Sequence, residues 1–170
     1  DDDGPSCFPA GARVSLADGT TVAVEELATG AAVASAADQA PTTVYGWTHK
    51  QAGGRRAFVR LSVDGRAAAL TLSPGHYVVT SERLVAAAAI AVGDRLVNAT
   101  GGAAIVTGVS RVWAAGLYHP HTTSGTMVVD GLLVSDLTTA LPPAVSRALL
   151  RTVQRLGVGG VGGGVGGWLL

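Results

Sequence analysis

The fold of this chain is restricted most by its punctuation. Short runs of alternating apolar and polar residues are cut off every few positions by Gly, Pro, Asp or Asn. A period of two sends successive side chains to opposite faces of a strand. The breaks also come too often for helices, which need about ten or more uninterrupted residues. Ala12-Arg13-Val14-Ser15-Leu16 runs into Asp18-Gly19, a two-residue hairpin signal, and Thr20-Thr21-Val22-Ala23-Val24 resumes the alternation. Segments 44–47, 58–63, 68–72, 76–80, 95–98, 105–113 and 126–129 repeat the pattern, so the body is predicted to be all-β. Helix is expected only in short pieces at 24–27 and 81–90, and again at 143–156, where Val145, Leu149, Val153 and Leu156 share a face away from Arg147, Arg151 and Arg155.

The chain also resembles itself. Leu27-Ala28-Thr29-Gly30-Ala31-Ala32-Val33 matches Ile90-Ala91-Val92-Gly93-Asp94-Arg95-Leu96, and Val44-Tyr45-Gly46 matches Val106-Thr107-Gly108 at almost the same offset. A weaker match, at a shifted offset, sets Pro74-Gly75-His76-Tyr77-Val78 against Asp130-Gly131-Leu132-Leu133-Val134. Two copies are too few for a solenoid, so a β unit with pseudo-two-fold symmetry and interlocking halves is expected. The 170 residues suit one domain. Hydrophobic residues at 48%, charged residues at 14% and a balance of 12 basic against 12 acidic side chains argue against disorder and against nucleic-acid binding. No apolar run reaches the roughly 20 residues of a membrane helix. The single cysteine, Cys7, rules out an internal disulfide and a cysteine-built zinc cage, leaving it an inert small hydrophobe or a nucleophile.

Cys7-Phe8-Pro9 precedes the first hairpin, with Val14 and Leu27-Ala28-Thr29-Gly30 downstream, and Ser73-Pro74-Gly75-His76 opens a later strand. This order resembles the Hint module, the self-processing unit of inteins and of the Hog part of Hedgehog proteins. Gly116-Leu117-Tyr118-His119-Pro120-His121-Thr122, then Gly125-Thr126-Met127-Val128-Val129-Asp130-Gly131 and the dipeptide Val134-Ser135, are similar to the Hog segment. The resemblance spans 7–139 and implies an all-β, horseshoe-like fold with internal pseudo-two-fold duplication. Residues 1–6 then read as the remnant of an upstream partner, and 140–170 as an amphipathic basic helix with a Gly-rich tail.

The implied activity is single-turnover self-cleavage. The Cys7 thiolate attacks the carbonyl of Ser6, and the Ser6–Cys7 amide becomes a thioester by an N-to-S acyl shift. His76 is the expected acid and base, because imidazole titrates near neutral pH. Ser73 would set its hydroxyl against the scissile peptide, although Ser also suits an ordinary turn before Pro74-Gly75. A second nucleophile, whether water, a sterol or another alcohol, then takes the acyl group. Here the chain departs from Hedgehog: Ser6 replaces Gly, Ser73 replaces Thr, His49 stands where sterol-transferring relatives carry Asp, and Asp136 takes the place of their second cysteine. His49 and Asp136 are therefore candidate activators, weighed against a surface loop residue and a strand-capping carboxylate. Splicing needs a terminal His-Asn, which is missing from 129–139, so only N-terminal cleavage is expected.

The other expectations concern surroundings and partners. His119-Pro120-His121 could bind a metal from one strand face, but it lacks a full ligand set and is read as a structural turn around Pro120. The chemistry calls for no cofactor and no metal. The partner is the covalently linked upstream domain, a sterol or other lipid alcohol being the candidate second substrate. Residues 141–156 are a candidate membrane-surface contact, and the domain is expected to be a monomer. The sequon Asn98-Ala99-Thr100 fits a secretory or extracellular protein. The competing class is a non-enzymatic extracellular β-domain, or a Hint fold that serves only for interaction.

Overall fold

The computed structural model describes residues 7–138. The upstream remnant, the 143–156 helix and the Gly-rich tail lie outside the described residues. Among the described residues, eleven strands follow one another with two single 3-10 turns between them. The first hairpin joins β1 (Arg13–Ser15) to β2 (Thr21–Ala23). Its loop has three residues, not two, because Leu16 N–H still bonds the Thr20 carbonyl at 2.8 Å and Ala17, Asp18 and Gly19 make the turn. Gly19 takes φ +86°, the left-handed residue that closes this kind of loop.

Two long strands organise the rest. β4 (Thr42–Val63) and β9 (Ala103–Thr122) pair antiparallel along most of their length. β4 absorbs what the sequence presents as two strands and a break, the ladder shifting register between Gln51 and Arg55 instead of ending, and β9 extends the expected strand 105–113 through the segment read as a turn. Such a bulge accommodates extra residues while the pairing continues on both sides. β3 (Ala32–Val33) and β8 (Arg95–Val97) flank this pair, and β5 (Leu70–Leu72) lies on β4. The second sheet has the order β2-β1-β10-β11-β6-β7, with β10 (Thr126–Val129), β11 (Leu132–Thr138), β6 (His76–Val79) and β7 (Leu84–Ala86). Val14, Val44, Leu61, Leu72, Val78, Met127 and Val134 lie in the core where the sheets meet.

The duplication is present in space. Val24–Glu26, β3 and β4 correspond to Ala87–Ala89, β8 and β9. The bonds Gly30 N–H to Val44 O (2.7 Å) and Val44 N–H to Ala31 O (3.0 Å) recur as Gly93 N–H to Val106 O (2.8 Å) and Val106 N–H to Asp94 O (2.9 Å). Even the weakest sequence match is structural, since Val78 and Val134, equivalent in it, face each other across β6 and β11.

The helix expected at 81–90 is instead β7 and one 3-10 turn. Thr80 turns the chain back: its Oγ1 donates to the Arg83 carbonyl at 2.7 Å and accepts Arg83 N–H at 3.0 Å. Tyr77, Val78 and Val79 then pair with Ala86, Val85 and Leu84. Cross-strand pairing thus overrides the helix propensity of an alanine run. Asn98 has a local task at the end of β8, where its Oδ1 accepts from Thr100 N–H, Thr100 Oγ1 and Gly102 N–H at 2.8–3.0 Å.

Candidate active site

The chain enters the described structure at the site. Phe8 is bonded both ways to Tyr118 on β9, N–H to O at 2.8 Å and O from N–H at 3.0 Å, and Ala10 N–H bonds the Ala115 carbonyl at 2.9 Å. This extra length of pairing leaves Cys7 fully buried against Phe58 of β4 and Leu117 of β9. Ser73, at the turn between β5 and β6, grips Cys7 twice: its Oγ accepts the Cys7 amide N–H at 2.7 Å, and its own N–H donates to the Cys7 carbonyl at 2.9 Å. The first bond falls on the nitrogen that joins Cys7 to the residue before it. Ser6 itself lies outside the described residues.

His76 opens β6 and is fully buried, its ring 4.5 Å from the Phe8 ring. Its Nε2 lies 2.7 Å from the Ser135 carbonyl. A carbonyl only accepts, so Nε2 carries the proton and Nδ1 keeps a free lone pair. Nδ1 is buried and without a hydrogen-bond partner among the described residues. An orphaned base in a buried site calls for an explanation. Burial, then the neighbouring His119, hold the imidazole down to about 3, while burial pushes the Cys7 thiol up to about 12 against the opposing charge of Arg56. Thiol and imidazole are both neutral at physiological pH, and the site at rest holds no thiolate.

The remaining histidines gather here as well. His119 is buried on β9, with its ring 5.5 Å from that of His76 and its Nε2–H donating to the Asp136 carbonyl at 2.8 Å. Burial is the main reason its imidazole is held down to about 4. His121 stacks on His119 at 4.3 Å, has its Nε2 on the Thr48 hydroxyl and places Nδ1 3.8 Å from an Asp136 carboxylate oxygen. Asp136 is buried on β11, where Oδ2 accepts Thr122 N–H at 2.9 Å, and desolvation raises its carboxyl above the usual range. His49 lies half-buried on β4, directly across from His119.

Cys7, Ser73, His76, His49 and Asp136 are therefore brought to one region. The expected turn around Pro120 is corrected: His119 and His121 lie within β9, with Pro120 opposite Trp47 of β4, and both rings belong to the site. They face the same way because they are two residues apart on a strand. Sequence reasoning passed over Arg56 also, although alternation from Phe58 points to its face. Among the described residues no group of three or more His, Cys, Asp or Glu side chains is placed to hold a metal.

Solved structures that share this fold include intein domains. The gp41-1 intein superposes with a TM-score of 0.66 at 10% identity, covering 78% of this chain and 99% of its own. The bacterial intein-like domain from Clostridium thermocellum gives 0.64 at 22%, covering 78% and 99%. A DnaB intein from Synechocystis sp. PCC 6803 gives 0.64 at 10%, covering 77% and 98%. At these identities the likeness concerns the fold, and no curated protein matches the chain. Family membership rests on the sequence itself: residues 3–139 match the Hint module, and the chain belongs to that family of self-processing domains.

Proposed function

We propose that the chain cleaves its own Ser6–Cys7 bond and passes the freed acyl group to a second nucleophile. The observation that carries this is the grip of Ser73 on the Cys7 amide N–H beside an imidazole whose Nδ1 is bare. In the first step the Cys7 sulfur attacks the Ser6 carbonyl carbon and its proton passes to His76 Nδ1. The tetrahedral oxyanion then collapses, the carbon–nitrogen bond breaks, and the same proton goes to the leaving Cys7 nitrogen. A thioester and a free α-amine result. The Ser73 hydroxyl holds the N–H along a fixed direction throughout, which favours the pyramidal nitrogen of the tetrahedral state over the planar amide.

In the second step water or an alcohol adds to the thioester and the thiol leaves. His49 and Asp136 serve this step, Asp136 acting through His121, whose Nδ1 it faces. Sterol is one alcohol of the right class, and His49 in place of an Asp makes water an equal candidate. With no His-Asn pair at 129–139, cleavage stays on the N-terminal side and the chain does not splice.

The test is to express the 170-residue chain behind a tagged partner and take intact masses with and without dithiothreitol or hydroxylamine. Release of the partner ending at Ser6, abolished by Cys7→Ala, is the expected result. An unchanged full-length mass under both reagents overturns the proposal and leaves the Hint fold as an interaction module.

A further inference from the structure

The first step places negative charge in a site that burial makes hostile to it, and β4 supplies a cation there that the proposed mechanism has not used. Residues 56 and 58 share one face of β4. Phe58 packs on Cys7, and Ala114, directly across from Arg56 on β9, packs on the same cluster. The Arg56 side chain thus leaves the strand on the Cys7 side. It is exposed and makes no hydrogen bond or ion pair with another described residue, whereas neighbouring Arg55 donates to the Trp113 carbonyl at 3.4 Å.

We propose that the Arg56 guanidinium, on the Cys7 side of β4 and unbonded among the described residues, is the group that stabilises negative charge in the first acyl transfer, first on the Cys7 sulfur and then on the Ser6 carbonyl oxygen. This rests on the autoprocessing function above. No bond to Arg56 forms or breaks, and the proton moves from thiol to His76 to amine as described. The guanidinium suits the task because it is a delocalised cation that offers several donors in a fixed plane. Its charge already acts on the Cys7 thiol in the resting structure, opposing the effect of burial.

Among the described residues, the other elements around Cys7 supply no competing charge. β9 presents Val112, Ala114 and Leu117, the turn before β6 presents Ser73, and β6 presents His76 backed by His119, both neutral imidazoles. On β4 itself, Arg60 shares the face of Arg56 but lies beyond Phe58, opposite Ser110.

Cleavage of the tagged fusion is followed against pH and ionic strength for the wild type, R56Q and R56K. Loss of one nearby charge is expected to slow R56Q about tenfold at neutral pH, the equivalent of one pK unit, and to move the rising alkaline limb of its rate profile to higher pH. Added salt should slow the wild type by screening an exposed charge. R56Q should lose that sensitivity, and R56K should recover most of the rate. If the wild type cleaves and R56Q matches it in rate and pH profile, the role of Arg56 is overturned while self-cleavage stands. A loss shared in full by R56K with an unshifted profile marks a packing role and overturns it equally. A wild type that releases nothing overturns self-cleavage, and the role of Arg56 with it.

Discussion

Ser73 is the residue on which backbone and chemistry at Cys7 converge. Its hydroxyl accepts the buried Cys7 amide N–H at 2.7 Å. Ser73→Ala strands that donor, at a cost of ~1–3 kcal/mol. Urea unfolding should register the loss, and cleavage of the fusion should slow by at least about tenfold. Ser73→Thr, which keeps the hydroxyl, should fall near the wild type in both measurements. His76 gives a prediction of a different kind. With Nε2 protonated on the Ser135 carbonyl and the ring held down to about 3, nitrogen NMR should find it as the neutral Nε2–H tautomer at pH 7 and still uncharged near pH 5. A ring that gains its proton near pH 6.5 would contradict the burial argument. These two residues were legible in the sequence because Ser-x-x-His is local. His119 was not, since its place beside His76 depends on strands that meet only in space.

At the level of elements, the long strands act as rails that hold the entering segment in place. Gly116 is the joint in β9 where that segment lands. It takes φ +89°, and a β-carbon added there would lie 2.7 Å from the Tyr118 ring and 3.0 Å from the Ala10 nitrogen. A non-glycine residue pays for the left-handed backbone, and here it would also push Ala10, and Cys7 with it, off the strand. Gly116→Ala should therefore cost about 1–3 kcal/mol of stability and reduce cleavage more than that loss explains. The comparison is between unfolding midpoint and cleavage rate at a temperature where the variant is fully folded. Retained cleavage in a destabilised variant would show that the landing of Ala10 on β9 is not needed. The difference between expected and observed elements has the same origin. Glycines at 53 and 54 signal a break when taken alone, and pairing with β9 on both sides turns that break into a bulge. The alanines at 86–89 signal helix, and β6 claims Leu84–Ala86 as a strand.

At the level of the whole molecule, two halves of one pattern place four histidines and the buried Asp136 around the join of their sheets, with the half-buried Asp130 at the turn between β10 and β11, and acid stability follows from this. His76 at about 3 and His119 at about 4 lie below the unfolded value near 6.5. The unfolded chain therefore binds their protons first as pH falls. Their contribution is complete above about pH 6.5 and declines below it, by up to about 1.4 kcal/mol per pH unit for each. Asp130, raised to about 6, and Asp136, raised as well, work in the opposite sense, since the folded chain takes up their protons first and gains stability as pH falls through that range. Denaturant midpoints of Cys7→Ala protein, which lacks the proposed nucleophile, should fall between pH 6.5 and 4.5. Asp130→Asn should raise stability at pH 7 and steepen the fall. A midpoint independent of pH in that window would refute the balance. The sequence by itself determined the all-β class, the duplication and the order of Cys7, Ser73 and His76, because a period of two, a repeated segment and a short motif are all properties of neighbours along the chain. The tertiary structure alone decided that β4 and β9 run unbroken, that His119, His121 and Arg56 belong with Cys7, and that thiol and imidazole are neutral at rest. Those facts depend on pairing between distant residues and on the removal of water from around them, and neither is encoded at any single position.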